Sequence, residues 1–233
     1  MILSEYRTLI RLYVPSAKVT RVNDNQLDTL INRGVNDVNE FALAYQGNKK
    51  IDVTAEEDTI DLTSEIDDYL TIDKPGVWWN SGSASSPNWI KLDPYTRESL
   101  DREFPLWRDD ASNDPQRYII ESNKLITHPK ADTTLSEGLW AYFIKTAVAM
   151  TSGEHYPFTG SLVEITAFRV LDDAIIDYVR WKLARPLGQE QLGVITERDY
   201  RANLADKTRQ LKRRLDLTAS DLNRMRGQTI GRH

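Results

Sequence analysis

The sequence predicts an α+β fold: a helical bundle formed by the N- and C-terminal helices, with a β-rich insert and an extended C-terminal arm. Three observations predict it. Apolar residues recur at helical spacing near both ends of the chain. Between them, short runs alternate apolar and polar residues among turn formers. From Thr196 onward a thin apolar stripe gives way to a polar, arginine-bearing tail. Helices at both sequence ends are expected to pack together, which places residues 1–48 and 158–217 in the helical core. Residues 49–157 then form the insert and residues 218–233 the tail.

Each element follows from local chemistry. Ser4 can cap a first helix with Tyr6, Leu9, Ile10 and Tyr13 on one face, and Pro15 lies past its end. Asp24 or Asn25 can cap a second. Leu27, Leu30, Ile31, Val35, Val38, Phe41, Ala42 and Tyr45 keep its period to a stop at Gly47-Asn48. Lys50–Val53, Thr59–Leu62, Tyr69–Lys74, Val77–Asn80 and Trp89–Leu92 read as strands, with Ser81–Pro87 as a flexible loop tip. Tyr95–Glu103 reads as a short helix. Arg117–Glu121 and Lys124–His128 make a hairpin across Ser122-Asn123, and the apolar run Gly138–Met150 is the expected central strand. Helical spacing returns from Ser161 to Ala184, Pro186-Leu-Gly188 breaks it, and a last helix follows.

The 233 residues are 40% apolar, enough for a substantial core. No window approaches the roughly 20 apolar residues of a membrane span, and mean hydropathy is −0.52. The opening Met1-Ile-Leu-Ser-Glu lacks the basic and apolar regions of a signal peptide. With no cysteine, thiolate metal sites and disulfides are excluded, which fits assembly in a reducing cytosol. Net charge is −5, but Thr196–His233 holds ten Lys and Arg against five Asp and Glu. The remainder therefore carries −10, which argues against general DNA binding outside that basic end.

Catalytic patterns are missing from the sequence. There is no phosphate-binding glycine loop and no nucleophile elbow. His128, His155 and His233 stand apart in sequence, so the expectation is no enzyme, no cofactor and no metal. His128, before Pro129 at a strand end, reads as structural. Asp67-Asp68 and Asp172-Asp173 are adjacent pairs, read as solvated turns and helix faces rather than an acid–base couple. Trp78, Trp79, Trp89, Trp107 and Trp140 cluster in the β-rich middle, where core and subunit contact is the favoured reading and sugar stacking the alternative. The basic end can be a solvated helix face, a phosphate contact or a docking arm for an acidic protein surface. Met225 and Ile230 give the tail two apolar anchors, which suits a protein groove.

The order of these segments resembles the head-to-tail adaptor (connector) proteins of tailed bacteriophages. Leu27-Asp-Thr-Leu-Ile-Asn-Arg-Gly-Val-Asn-Asp37 is similar to their opening helix. Phe104-Pro-Leu-Trp107 followed by Pro115–Pro129 is similar to their hairpin, and Leu171–Arg185 resembles a later helix. The resemblance runs over roughly residues 1–215 and lies in order and spacing rather than in one motif. The Trp78-Trp79 pair, the Ser81–Pro87 loop and the long basic tail depart from it. It implies a virion structural protein forming a ring of identical subunits, twelve to match the portal. The ring would extend the DNA channel without gripping the genome, and offer a platform to tail, nozzle or fibre proteins. It also implies a portal-docking arm, here Arg213, Arg214, Arg224, Met225, Arg226, Ile230 and Arg232. Leu204, Leu211 and Leu215 are expected to pack on the body or a neighbour, and the tail beyond to order only on the portal. The alternative function is a carbohydrate- or polymer-binding module using the tryptophans.

Overall fold

The computed structural model describes residues 1–17, 21–57, 59–110, 113–187 and 193–229, the last stretch as backbone alone from 216 onward. The chain divides into two compact units, residues 1–44 with 147–233, and residues 45–146.

The first unit is helical. Helix α1, Leu3–Tyr13, starts before Ser4: the Glu5 side chain accepts the Ile2 N–H at 2.9 Å. Helix α2, Asp24–Ala42, is capped by Asn23, one residue ahead of either expected cap. Asn23 and Gln26 bond each other's backbone reciprocally, at 2.9 and 3.1 Å, which closes a capping box. The helix stops at Leu43, which takes a left-handed conformation (φ 50°). The expected helix over 161–184 is shorter. A 3₁₀ turn, Thr166–Leu171, leads into α5, Asp172–Lys182, and α6, Ala184–Leu187. The last helix, α7, runs from Glu197 to Thr229. Within this unit α2 packs on α5, α1 packs on both, and α7 packs on α5 and the 3₁₀ turn.

The second unit holds strands β1 (Gln46–Val53), β2 (Thr59–Asp61), β3 (Tyr69–Asn80), β4 (Trp89–Lys91), β5 (Asp93–Pro94), β6 (Arg117–Glu121), β7 (Lys124–His128) and β8 (Leu135–Lys145). It also holds the short helices α3, Leu62–Glu65, and α4, Arg97–Glu103. The strands make two four-stranded sheets, ordered β1-β8-β3-β4 and β2-β7-β6-β5. Strand β8 lies between β1 and β3, so the expected apolar run is a central strand as far as Lys145, while residues 146–150 are not strand. Tyr69–Lys74 and Val77–Asn80 are one strand, broken by a register shift between Ile72 and Val77 at the left-handed Gly76. Ser122 and Asn123 both take positive φ, which suits the twist of the tight β6–β7 hairpin. The Ser81–Pro87 segment is an organised turn. The buried Asn80 side chain accepts the N–H groups of Gly82 and Asn88, each at 3.0 Å, and donates to the Ser83 carbonyl.

A core fills the space between the sheets: Ile51, Val53, Val77, Trp79, Leu139, Ala141 and Phe143 from one, Tyr118 and Leu125 from the other. A smaller cluster of Leu100, Trp107 and Ile119 covers the opposite face of the second sheet.

These observations correct the expected fold. The chain is mixed α/β, with about 40% helix and 24% strand in two sheets, and is not a helical bundle with a small β insert. The strands were underestimated because two sheets around one apolar core make a self-sufficient layered unit. The extended arm is also overturned, because α7 continues as helix through Thr229. Its Ala, Leu, Arg and Gln residues are good helix formers, and the only glycine on the way is Gly227.

Candidate interaction surfaces

Helix α7 is built outward from its first turn. Thr196 starts it: its hydroxyl accepts the Asp199 N–H at 3.2 Å and donates to the Asp199 carboxylate at 2.7 Å. That bonding holds the Asp199 carboxyl below its ordinary range. Tyr200, Leu204, Thr208 and Leu211 then form the buried stripe. Thr208 fills the gap that the apolar spacing left between Leu204 and Leu211, and its buried hydroxyl has no partner. The Tyr200 ring stacks on Trp181, with centroids 5.5 Å apart, and its hydroxyl donates to Asp37. Burial, then that bond, pushes the Tyr200 hydroxyl far above its usual range.

The stripe ends abruptly. Leu204 and Leu211 are covered by the body, at 0% and 1% exposure, whereas Leu215 is 37% exposed and the body of its own chain does not cover it. Several basic residues ahead of that point serve the fold. Arg201 pairs with Asp37 at 3.0 Å, Lys207 with Asp173 at 2.5 Å, and Arg209 with Asp206 at 3.7 Å. Asn203 donates to Asp177 at 2.7 Å, and Arg180 bonds that same carboxylate and the Gly193 carbonyl. Lys212, Arg213 and Arg214 are exposed. Arg224, Met225 and Arg226 lie on the helical backbone of α7, while Ile230 and Arg232 lie outside the described residues. No described contact brings the expected docking residues together into one site.

The second surface belongs to the sheet β1-β8-β3-β4. The register sets Lys50 opposite Trp140, Trp140 opposite Trp78, and Trp78 opposite Lys91. Directly opposed residues share a face, so these four side chains form one row across four strands, away from the core. Trp89 and Tyr142 join it, with ring centroids 5.5 and 5.0 Å from Trp140. All four rings are partly exposed. The Trp140 N–H donates to Asn48 at 3.2 Å, whereas the Trp78 N–H is buried without a partner. Strand alternation explains the difference between neighbours: Trp79 points into the core and donates to Asp114 at 3.0 Å.

The remaining candidates are structural. His128 is buried between the rings of Phe104 and Trp107, with Nε2 2.8 Å from Asp110 and Nδ1 unpartnered. The adjacent acids diverge. Asp173 is exposed and pairs with Lys207, while Asp172 is buried and accepts the Tyr6 hydroxyl. Reading both as solvated was wrong for Asp172, whose partner lies 166 residues away in sequence. Burial raises its carboxyl above the ordinary range, against the pull of the Tyr6 bond. Among the described residues, no group of three or more His, Asp or Glu side chains is placed to hold a metal. Nor is any helix long and apolar enough to cross a membrane. No protein-family model matches the chain, and no curated protein is significantly similar to it.

Proposed function

We propose that this chain is a virion structural protein of a tailed bacteriophage, a head-to-tail adaptor whose subunits form a ring beneath the portal. The ring extends the DNA channel and gives tail proteins a platform. The observation that carries this reading is the mismatch within α7. Among the side chains described, which end at Leu215, the last buried one is Leu211, yet the helix runs on to Thr229, roughly 27 Å further at 1.5 Å per residue. That second half holds Lys212, Arg213, Arg214, Arg224 and Arg226 beside Leu215, Leu222 and Met225. A basic helix with spaced apolar anchors suits a groove on an acidic partner, and the portal is the partner that the adaptor resemblance implies. The −10 charge on the rest of the chain supports a lumen that does not hold passing DNA.

Co-sedimentation with the phage's portal assembly, followed by negative-stain imaging, tests the reading. The full chain is expected to bind and form rings on the portal. A chain ending at Leu215 is expected to fold and to lose portal binding. Unchanged binding of the shortened chain removes the arm from the account, and failure of the full chain to bind removes the adaptor itself.

A further inference from the structure

The tryptophans of the β unit meet two fates. Trp79 and Trp107 are buried, and each indole N–H has a carboxylate of its own, Asp114 at 3.0 Å and Asp101 at 2.7 Å. Trp78, Trp89 and Trp140 stay partly exposed on the outer face of the β1-β8-β3-β4 sheet, with Tyr142 beside them. The register sets Trp140 and Trp78 between Lys50 and Lys91, so the row crosses all four strands. At the roughly 4.8 Å spacing of neighbouring strands it spans about 14 Å. The outer face of the second sheet is different, because the Leu100–Trp107–Ile119 cluster covers it.

Three features select the occupant. The first is the set of hydrogen-bonding groups at the ring edges. Asn48 stands opposite Tyr142 in the register, and its oxygen accepts the Trp140 indole N–H at 3.2 Å, which leaves its amide N–H groups to donate. The Tyr142 hydroxyl and the Lys91 ammonium have no hydrogen-bond or ion-pair partner among the described residues. A pyranose carries C–H groups on its faces and hydroxyls around its rim, so it can rest on an aromatic ring and accept from donors at that ring's edge. Charge is the second feature. Lys50 is paired with Glu137 at 2.5 Å, which leaves Lys91 as the unpaired cation of the row among the described residues. Affinity for a phosphate backbone grows with each Lys or Arg it meets, so a face with one such lysine suits a neutral chain. Ring tilt is the third. Trp140 is inclined at 59° to Trp89 and at 36° to Tyr142. Successive bases stack on ring after ring in one sense, whereas the sugars of an extended chain turn from one to the next.

We propose that the outer face of the β1-β8-β3-β4 sheet is a glycan-binding site for an extended, neutral chain of β-linked pyranoses, laid along the row from β1 to β4. Trp89, Trp140 and Tyr142 supply the stacking surface, and Asn48, Tyr142 and Lys91 donate to the sugar oxygens. The site stands apart from the adaptor reading, since it uses the β unit alone and the portal contact uses α7.

The test titrates the full chain with cellohexaose and with chitohexaose, read by tryptophan fluorescence and by isothermal calorimetry. Two variants accompany it: Trp89→Ala, and Asn48→Ala, which removes no ring and so carries the test if the first does not fold. The wild type is expected to bind at least one hexasaccharide saturably, with a change in tryptophan emission. Each folded variant is expected to bind that sugar about three- to tenfold more weakly. Saturable binding of neither sugar overturns the proposal. Binding that the variants leave unchanged places the sugar elsewhere and overturns it too. An oligo-dT strand that binds this face more tightly than either sugar assigns it to nucleic acid, and self-association that buries the tryptophans and excludes sugar assigns it to protein; both overturn the proposal. None of these results bears on portal co-sedimentation, so the two readings stand or fall separately.

Discussion

The helical unit and the β unit are held together by different means. The helical unit joins segments from opposite ends of the chain, and polar bonds set their alignment. The Tyr6 hydroxyl meets Asp172, the Tyr200 hydroxyl meets Asp37, Asn32 bonds both backbone groups of Met150, and Lys207 meets Asp173. The β unit relies on apolar contact between sheets whose registers are set by hairpins and alternation. A buried hydroxyl–carboxylate bond is directional, so it selects one helix alignment among several that would bury similar area. A sheet needs less of this, because a one-residue slip would turn its apolar set outward.

That contrast can be broken most sharply at Trp79. Trp79→Ala should cost the β unit about 3–5 kcal/mol, because it empties the largest buried side chain and leaves Asp114 without its indole donor. Urea denaturation followed by near-UV circular dichroism measures it, and a loss below about 1 kcal/mol would contradict the packed core. Next is the end of the α7 stripe. Leu211→Ala should cost about 2–5 kcal/mol and Leu215→Ala under about 1 kcal/mol, since only the first is buried. Equal losses would mean that the docked stripe does not stop where burial places it. Gly34 faces α5 across the α2–α5 contact. A Cβ there meets Tyr178 Cδ1 at 3.0 Å and the Ile175 carbonyl at 3.4 Å. Gly34→Leu should therefore cost about 1–3 kcal/mol by forcing the helices apart, read from thermal unfolding.

The smallest effect is a pH dependence. Burial raises the folded Asp172 carboxyl above 3.8, so the folded chain holds that proton more tightly than the unfolded chain does. Its contribution to stability is present with the group protonated and is lost as pH rises from 3.8 through the raised value. Asp172→Asn keeps an oxygen to accept the Tyr6 hydroxyl and removes the titration. Urea midpoints taken at stepped pH should show a flatter curve for the variant in that window. Parallel curves would mean that Asp172 titrates alike in the folded and unfolded chain.

Elements governed by near neighbours were legible in the sequence. The α2 stripe appears at Leu27, Ile31, Val35, Val38 and Ala42, although Phe41 is exposed and Tyr45 lies past the helix end, and the β6–β7 hairpin spans the residues expected, because Ser122-Asn123 sets the turn. Errors came where distant residues decide. Gly76 let two expected strands continue as one, since β8 supplies hydrogen bonds on both sides of the shift. Asn80 organised a serine-rich segment that looked flexible, using one buried amide. Of the candidate surfaces, the tryptophan cluster was visible in the sequence, but its division was not. Alternation predicts that Trp78 and Trp79 part company; only the pairing with Trp140 and Lys91 says which one lies outside. The basic end was visible as charge, but the diversion of Arg201 and Lys207 into the fold depends on Asp37 and Asp173, which are distant in sequence.

The helical unit is discontinuous, and this orders events on the ribosome. Residues 1–44 precede the β unit, but α5, which packs on α1 and α2, and α7, which packs on α5 and α2, follow it. At about 5–20 residues per second, the wait from Ala44 to Tyr200 is on the order of ten to thirty seconds. Until then the buried residues of α1 and α2, Tyr6 and Ile31 among them, lack the later helices that pack on these two. Residues 45–146 hold all their partners well before that, so the second unit in the chain is the first able to finish folding.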